Sequence, residues 1–311
     1  MSVGSCSITC EQIGVHVAYE DVVIERDGGV GIMMLNRPDK LNALRRQTFK
    51  EIEQACGEFE SDPEVRAVVL TGSGNKAFCT GIDLEADGLP DTSISWDQHT
   101  GENATVLQRL WMLSKPLVTA VNGYALAAGC NLALVGDVTV ASTSASFGEP
   151  EVRHGALSPL LLLPWLVHFK VANEMYLTGD RITAQRAYQV GLVNRVVPGP
   201  ELREEAVGLA KRIALAPTYA VMLAKSTVRM TLDIQGFRAA QTAHRYVDTY
   251  LLASHGVAEK EALMARLEQE GIAAFLEARD GPYREGAIER SGGDGPRSRE
   301  PLDLSGYPIS P

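Results

Sequence analysis

The sequence predicts an α/β domain that ends in a helical region. Short β-branched apolar runs, at residues 65–71 and 117–121, alternate with stretches in which apolar residues recur at helical spacing. Strands that alternate with helices are typical of α/β domains. From about residue 158 onward the spacing of the apolar residues is helical throughout. With 311 residues, of which 45% are hydrophobic, the chain has enough apolar volume to bury a large core.

Turn signals and apolar spacing place the individual elements. The Asp-Gly-Gly turn at residues 27–29 separates two apolar runs, as in a β-hairpin. Phe49, Ile52 and Phe59 recur at helical spacing before Pro63, which predicts an amphipathic helix. The predicted elements are strands at 19–25 and 30–35, a helix at 46–60, a strand at 65–71, a loop at 81–96, a helix at 98–113, a strand at 117–121, a short helix from about 129, a strand at 138–141, and helices at 159–168, 170–177, 184–189, 201–215, 217–231, 235–252 and 258–278.

Composition divides the chain into four segments. Residues 1–18 form an irregular lead-in, residues 19–200 a core that carries the candidate site, and residues 201–285 a helical region. Residues 286–311 are rich in glycine, proline, serine and charge, with little to bury, which predicts a disordered or loosely docked tail.

Charge and cysteine content exclude several classes of protein. The formal net charge of −10 argues against a nucleic-acid partner, because nucleic-acid-binding proteins present basic surfaces. The five cysteines are odd in number and lack the spacing of a zinc site, which predicts no metal and a reducing, cytoplasmic setting. No signal peptide is evident, and the most apolar run, at 156–167, contains two prolines and is too short to cross a membrane.

Two short segments carry the strongest functional signal. Residues 77–84 and 122–132 each follow an apolar run and place small residues where a strand must turn into a loop or a helix. Small residues let the backbone approach a ligand closely and leave N–H groups free to point at it. Two N–H groups aimed at one oxygen form an oxyanion hole, which is often the largest single contribution to catalysis at a carbonyl.

The order of the motifs resembles that of the crotonase superfamily, the enoyl-CoA hydratase/isomerase family. The resemblance covers residues from about Tyr19 to Arg279. It implies an α/β fold of the crotonase (ClpP-like) type, a spiral of ββα units with a C-terminal helical trimerisation region. It also implies an acyl-CoA substrate, with coenzyme A as part of the substrate rather than a cofactor, and assembly as a homotrimer or a hexamer of two trimers. The motifs are Asn36-Arg37-Pro38, Leu41-Asn42-Ala43-Leu44, Val69-Leu70-Thr71-Gly72, Ala77-Phe78-x-x-Gly81-x-Asp83, Ala120-Val121-Asn122-Gly123-Tyr124-Ala125, Phe147-Gly148-x-Pro150-Glu151, Leu177-Thr178-Gly179-Asp180-Arg181-Ile182 and Ala187-x-x-x-Gly191-Leu192-Val193.

The resemblance implies four catalytic positions. The backbone N–H groups of Ile82 and Ala128 match the two oxyanion-hole donors, and Glu151 matches the second acid–base glutamate of the family hydratases. The first glutamate falls at Asn131, which can orient water but cannot take a proton. One carboxyl suffices to move a proton between two carbons of the same ligand. The resemblance therefore favours double-bond isomerisation over hydration, with Glu151 as the base in a mostly apolar pocket that raises its pKa.

The resemblance also implies a set of substrate-binding positions. A basic residue near Lys40 helps bind the phosphates in the family, and the backbone of the Leu41–Leu44 segment lines the adenine pocket. Asp83 is expected to tie the loop after the first N–H donor. Pro159 replaces a family glycine and removes an N–H group, which predicts a drier pocket. The predicted binding residues are Lys40, Leu41, Ala43, Gly81, Asp83, Gly129, Pro159 and Phe275.

Two other functions remain open from the sequence. A thioester hydrolase or a lyase of the same fold would use His154, three residues beyond Glu151, or Cys130, beside the predicted oxyanion hole. A structural role is the simpler interpretation of either residue, because buried cysteines usually pack as small apolar groups. A non-catalytic acyl-CoA-binding relative is the third possibility.

Glu149 also lies beside Glu151, at a position where the family usually has no acid.

Overall fold

Two β-sheets form the frame of the computed structural model, which describes residues 19–283. The larger sheet has the strand order β1-β2-β3-β5-β7-β10, and β1 is antiparallel to β2 while the other pairs are parallel. The smaller sheet has the order β4-β6-β8-β9. The strands are β1 (Val22–Asp27), β2 (Val30–Leu35), β3 (Ala67–Gly72), β4 (Ala77–Cys79), β5 (Leu117–Val121), β6 (Tyr124–Leu126), β7 (Val138–Ser142), β8 (Ser146–Gly148), β9 (Ile182–Thr183) and β10 (Arg195–Val197).

Eleven α-helices connect and cover the two sheets in the described part of the chain. The chain passes from a strand of the large sheet to a strand of the small sheet and then to a helix, in the order β3-β4-α2 and again β5-β6-α3. This repeat is the predicted spiral of ββα units. The helices are α1 (Arg46–Ser61), α2 (Ser93–Trp111), α3 (Ala128–Leu134), α4 (Leu163–Leu166), α5 (Phe169–Thr178), α6 (Ala184–Gln189), α7 (Leu202–Ala214), α8 (Thr218–Ile234), α9 (Phe237–Ala253), α10 (Ala258–Glu270) and α11 (Ile272–Asp280).

Both faces of the central strands β2, β3, β5 and β7 are buried, which is why these strands are mostly apolar, whereas the edge strands β1 and β10 carry exposed charged residues. One face belongs to the main core, in which Ile52 of α1 and Leu107 of α2 are fully buried. The other face packs against α7, where Leu202 and Ala206 meet residues such as Val69. The sheet is therefore a rigid platform, and the loops that leave its strands are held firmly in place.

Several predicted boundaries were wrong for identifiable reasons. The helix predicted at 258–278 is two helices, because Gly271 adopts φ +84° and ψ 178° and interrupts it. The helix predicted at 159–168 contracts to α4, since proline cannot continue a helix from the preceding turn. Helix α2 begins five residues earlier than predicted, because the Thr92 side chain caps it by accepting a hydrogen bond from Ser95 N.

The C-terminal helices cover the end of the molecule that carries the candidate site. Helix α9 packs on α2, and α10 and α11 pack on a short 3₁₀ helix, Pro150–His154. Within the described residues no single helix is long and apolar enough to cross a membrane. The segments Gly199–Ala214 and Thr218–Ile234 reach that length and composition only as a pair, and they are bent by 106°. The irregular lead-in at 1–18 and the tail at 286–311 were predicted for segments outside the described residues.

Candidate active site

The two signal segments meet in space at Gly81. The φ angle of Gly81 is +100°, a conformation that favours glycine, and there is no room for a side chain. A Cβ atom added at Gly81 would lie 2.7 Å from Ala127 Cβ and 3.4 Å from Ala128 N. The loop after β4 and the loop after β6 are therefore in direct contact, and residues 82 and 128 are neighbours.

The backbone N–H of Ile82 has no hydrogen-bond acceptor among residues 19–283. Leu44 pairs with this loop as an isolated parallel bridge, in which Leu44 N donates to Gly81 O and Asp83 N donates to Leu44 O, both at 2.8 Å. This pattern uses the groups on either side of Ile82 but not its own N–H. Ile82 also lines the pocket.

The backbone N–H of Ala128 also lacks an acceptor in the described part of the chain, for a different reason. Ala128 is the first residue of α3, and the first N–H groups of a helix have no intrahelical acceptor. The preceding residue, Ala127, has φ +55° and ψ −134°, which is unusual for a residue with a side chain. Such backbone strain is found at functional sites, where the surroundings enforce it. Ala127 and Ala128 both line the same pocket as Ile82.

Glu151 presents an unsatisfied carboxyl group to this pocket. It lies in the 3₁₀ helix Pro150–His154, is 7% exposed, and lines the pocket. Neither of its carboxyl oxygens has a hydrogen-bond partner among residues 19–283. Burial raises the pKa of Glu151 well above its usual value, and the nearby carboxyl of Glu149 raises it further. This environment favours the protonated, neutral form of the Glu151 carboxyl.

The structure does not bring Asn131 to the pocket. Asn131 is fully buried in α3, where its Nδ2 donates to Glu149 Oε1 at 3.0 Å and its Oδ1 accepts from Leu160 N at 2.7 Å. Ser158 Oγ donates to the other oxygen of Glu149 at 2.5 Å. Asn131, Glu149 and Ser158 form a closed polar cluster behind the pocket wall. The prediction that Asn131 contacts substrate receives no support from this geometry.

His154 and Cys130 differ in their access to the pocket. His154 lines it, and burial lowers the pKa of the imidazole to about 3, with the positive charge of Arg279 as a second cause. The ring is therefore neutral and lies edge-on to Phe275, with 5.6 Å between the ring centroids. Cys130 is fully buried and does not line the pocket, and burial raises the pKa of its thiol well above the usual value. A thiolate nucleophile at Cys130 is not supported.

Three of the predicted binding residues line the pocket directly. They are Leu41, Asp83 and Pro159. Asp83 accepts a hydrogen bond from Arg37 Nη2 at 2.9 Å, and its other oxygen accepts from Glu85 N at 3.2 Å. Asp83 therefore ties the loop after the first N–H donor, as the sequence predicted.

The other predicted binding residues lie around the pocket and do not line it. Lys40 is paired with Glu85 at 3.9 Å, and the Ala43 carbonyl accepts a hydrogen bond from Arg37. Gly129 serves close packing, since a Cβ atom there would lie 2.1 Å from Cys79 O. Gly81 has the packing role described above, and Phe275 is fully buried against His154.

Sequence reasoning missed the residues that α2 and α9 contribute to the pocket. His99, Thr100 and Asn103 of α2 and Asp248 of α9 line it. The sequence carried no signal for Asp248, because α9 reverses the usual pattern: it buries polar residues at a helical spacing of three and four, while large apolar residues of the same helix are exposed. The buried ones are Gln241, His244 and Asp248, and the exposed ones are Tyr246, Val247 and Tyr250. In the described part of the chain, no three histidine, cysteine, aspartate or glutamate side chains are grouped as metal ligands.

Comparison with known proteins agrees with this geometry. A sequence profile of the family described as Enoyl-CoA hydratase/isomerase matches residues 25–286. The short-chain-enoyl-CoA hydratase of Clostridium acetobutylicum is 34% identical over 262 residues, which cover 83% of this chain and 95% of that protein. The mitochondrial enoyl-CoA hydratase of Pongo abelii is 34% identical over 277 residues, which cover 86% and 89% of the two chains.

A solved structure extends the likeness to the whole fold. The crystal structure of an enoyl-CoA hydratase/isomerase from Xanthobacter autotrophicus Py2 superimposes with a TM-score of 0.82 at 35% identity, and it covers 85% of this chain and 99% of that one. The spiral of ββα units and the two converging loops are thus those of a crotonase-type enzyme. The chain belongs to the enoyl-CoA hydratase/isomerase family.

Proposed function

We propose that this protein moves a double bond within an enoyl-CoA thioester, with Glu151 as the acid–base residue. One observation carries the proposal. Within residues 19–283, the carboxyl of Glu151 is buried without a hydrogen-bond partner, and it lines the same pocket as Ile82 and Ala128, whose backbone N–H groups have no acceptor there. Two such donors stabilise an oxyanion, and a carboxyl in an apolar pocket transfers protons at carbon.

The reaction follows from this arrangement. The thioester carbonyl oxygen accepts hydrogen bonds from the N–H groups of Ile82 and Ala128. Ionised Glu151 removes a proton from C2 of a 3-enoyl-CoA, and the negative charge spreads to the thioester oxygen as a dienolate. Protonated Glu151 then returns the proton to C4, which leaves the double bond between C2 and C3. The same proton leaves and returns, so no further acid is required.

Isomerisation is preferred over hydration because of Asn131. Addition of water by a two-carboxylate route needs a second acid at that position, and Asn131 is neither an acid nor a pocket residue. The raised pKa of Glu151 suits the shuttle, because the protonated form must be populated long enough to deliver its proton.

Hydration is the second candidate, and the names of the relatives favour it. The Clostridium protein is named a short-chain-enoyl-CoA hydratase and a Syntrophomonas wolfei relative at 33% identity is named a crotonyl-CoA hydratase. The two reactions separate when purified protein is given 3-hexenoyl-CoA and crotonyl-CoA in parallel. Conversion of the first with little hydration of the second supports isomerisation. Rapid hydration of crotonyl-CoA that survives Glu151→Gln would contradict the one-carboxyl mechanism.

We also propose that the protein self-associates through α8. Tyr219, Leu223, Met230 and Ile234 fall within one narrow stripe of this helix and are between 49% and 81% exposed. Exposed apolar patches of this kind mark association surfaces. A second copy of the chain is the occupant that fits the trimer or hexamer expected from the family resemblance.

A further inference from the structure

The pocket contains a second buried carboxyl that the proposed reaction does not use. Asp248 lies on α9, is 4% exposed, and lines the same pocket as Ile82, Ala128 and Glu151. Its negative charge is close enough to contribute to the raised pKa of Glu151. Asp248 therefore shares one pocket with the proposed reaction centre.

Only one of the two oxygens of the Asp248 carboxyl accepts a hydrogen bond from the described residues. Its Oδ1 accepts a hydrogen bond from Leu157 N at 2.9 Å. Within residues 19–283 no hydrogen bond reaches its second oxygen, and no cation lies within ion-pair distance. Lys260 is the nearest source of positive charge, but its ammonium group donates to the carbonyls of Leu251 and Leu252, both at 2.6 Å. Burial raises the pKa of Asp248 to about 7.

A buried polar group with an unused hydrogen-bonding atom costs free energy unless something pairs with it. The second oxygen of Asp248 opens onto the pocket, so a ligand that fills the pocket has to replace the solvent that can pair with it. The wall around Asp248 includes the apolar residues Leu157, Leu252 and Met264, so a carboxyl here is not a by-product of a generally polar surface. An unsubstituted alkyl chain would leave the second oxygen of Asp248 buried and unpaired.

The wall contributed by α2 supports a polar acyl group as well. His99 and Asn103 both line the pocket and hydrogen-bond to each other, with 3.0 Å between His99 Nε2 and Asn103 Nδ2. Thr100 also lines the pocket, and its hydroxyl lies 2.7 Å from that of Thr249 on α9. The two helices thus present several hydrogen-bonding groups on the part of the wall that they share.

We propose that Asp248 is a specificity-determining residue that selects acyl-CoA thioesters whose acyl chain carries a hydroxyl group. A hydroxyl can donate to the ionised carboxylate and can accept from the protonated carboxyl, so it satisfies Asp248 in either state. The proposal rests on the proposed function in one respect: the thioester is anchored at Ile82 and Ala128, which directs the acyl chain towards α9.

Binding measured without turnover tests this proposal. Saturated acyl-CoA thioesters of four, six and eight carbons are titrated calorimetrically into the full-length protein, each beside its terminally hydroxylated counterpart. The wild type should bind the hydroxylated member at least about 10-fold more tightly at one or more chain lengths, because hydrogen bonds to charged groups contribute strongly. Asp248→Leu should reverse that preference, while Asp248→Asn, which can still donate and accept, should keep part of it. Asp39→Leu, at an exposed aspartate, is the matched control.

The outcomes that would overturn the proposal are distinct from failure of the proposed function. A wild type that prefers the unsubstituted chain, or shows no preference at any length, refutes it. So does a preference that survives both Asp248→Leu and Asp248→Asn. An Asp248→Leu variant that keeps the wild-type binding ratio but no longer converts 3-hexenoyl-CoA would mean that Asp248 acts in the chemistry instead. Selective binding without any turnover of enoyl-CoA would refute the proposed function and leave the selectivity intact.

Discussion

Asn131 Nδ2 donates a 3.0 Å hydrogen bond to Glu149 Oε1, and this contact turns the amide away from the pocket. Burial raises the pKa of Glu149, and the hydrogen bonds it accepts partly offset that effect. The buried carboxyl of Glu149 needs hydrogen-bond donors, and the Asn131 amide supplies one of them. A carboxylate at position 131 would offer Glu149 no N–H donor and would bury a second acidic group beside it.

Replacement of Asn131 should accordingly affect stability and not create a hydratase. Asn131→Asp removes the donor to Glu149 and buries a second carboxyl beside it, which should destabilise the fold by about 2–4 kcal/mol. Urea unfolding at pH 7 measures this, with Asn75→Asp, at an exposed asparagine, as the control. A variant of unchanged stability that hydrates crotonyl-CoA faster than the wild type would show that this position does reach the substrate.

Glu151→Gln should abolish catalysis and leave the fold intact. Removal of the proton carrier should lower kcat by about 10²–10⁴-fold, the usual range for a general acid–base residue. Stability should stay the same or rise, because both oxygens of Glu151 are buried without partners in the free protein. Steady-state kinetics and thermal unfolding of the variant test both statements, and Glu259→Gln on the exposed side of α10 serves for comparison. Full activity in Glu151→Gln would remove the basis of the proposed mechanism.

Gly81→Ala should damage the site by moving the backbone. The added Cβ atom would lie 2.7 Å from Ala127 Cβ and 3.2 Å from Leu126 O, so the two loops must separate. Loss of one oxyanion-hole donor typically costs about 10²–10³ in kcat. Gly28→Ala is a matched control, because Gly28 has φ +59° but no atom within 4 Å of its added Cβ. Equal effects of the two substitutions on kcat would argue against a structured oxyanion hole at Gly81.

Asp248 should make the protein less stable as the pH rises. Its pKa is about 7 in the fold, above the usual 3.8 of the unfolded chain, so folding disfavours its ionised form. Its contribution is therefore most favourable below pH 4 and is lost progressively up to about pH 7. Asp248→Asn removes this dependence and should raise the free energy of unfolding at pH 8 by up to about 4 kcal/mol relative to the change at pH 4. Parallel urea titrations at both pH values, with Asp39→Asn beside them, give the comparison; a pH-independent difference would contradict the assignment.

Charge placed on the exposed stripe of α8 should dissociate the proposed assembly. Leu223→Glu combined with Ile234→Glu puts two carboxylates on the same stripe, and sedimentation velocity should then show a monomer. Val228 is 64% exposed but lies on the opposite side of the helix, so Val228→Glu is the matched control and should keep the assembly of the wild type. A wild-type monomer at micromolar concentration would refute the association itself.

The large sheet and most helices could be predicted because their signals are local. The strand at 117–121 was confirmed at both ends, and the helix predicted at 46–60 is α1, which extends one residue further. The small sheet was not predicted, because its strands are two or three residues long and alternate with turns. Such strands form only when the spiral brings them side by side, and no local pattern encodes that.

The candidate site was likewise predictable from the sequence only in part. The two proposed N–H donors lie in segments whose small residues and neighbouring apolar strands are visible in the sequence, and the loops at Gly81 and Ala127 do meet. Asp248 lies 97 residues beyond Glu151 on a different layer of the fold, so only the packing of α9 on α2 reveals that it lines the same pocket. The orientation of Asn131 depends on Ser158 and Glu149 being buried together, which is also a tertiary property.

The proposed donors at positions 82 and 128 belong to the main chain, so evolution or engineering can change the side chains there and keep the donors. Any side chain except proline keeps the N–H at position 82, so the residue can vary in size while the donor persists. A saturation library at Ile82 would therefore reshape the pocket wall without deleting the group on which the chemistry depends. Because the donor tolerates such substitutions, the same fold can adapt its pocket wall to different acyl chains.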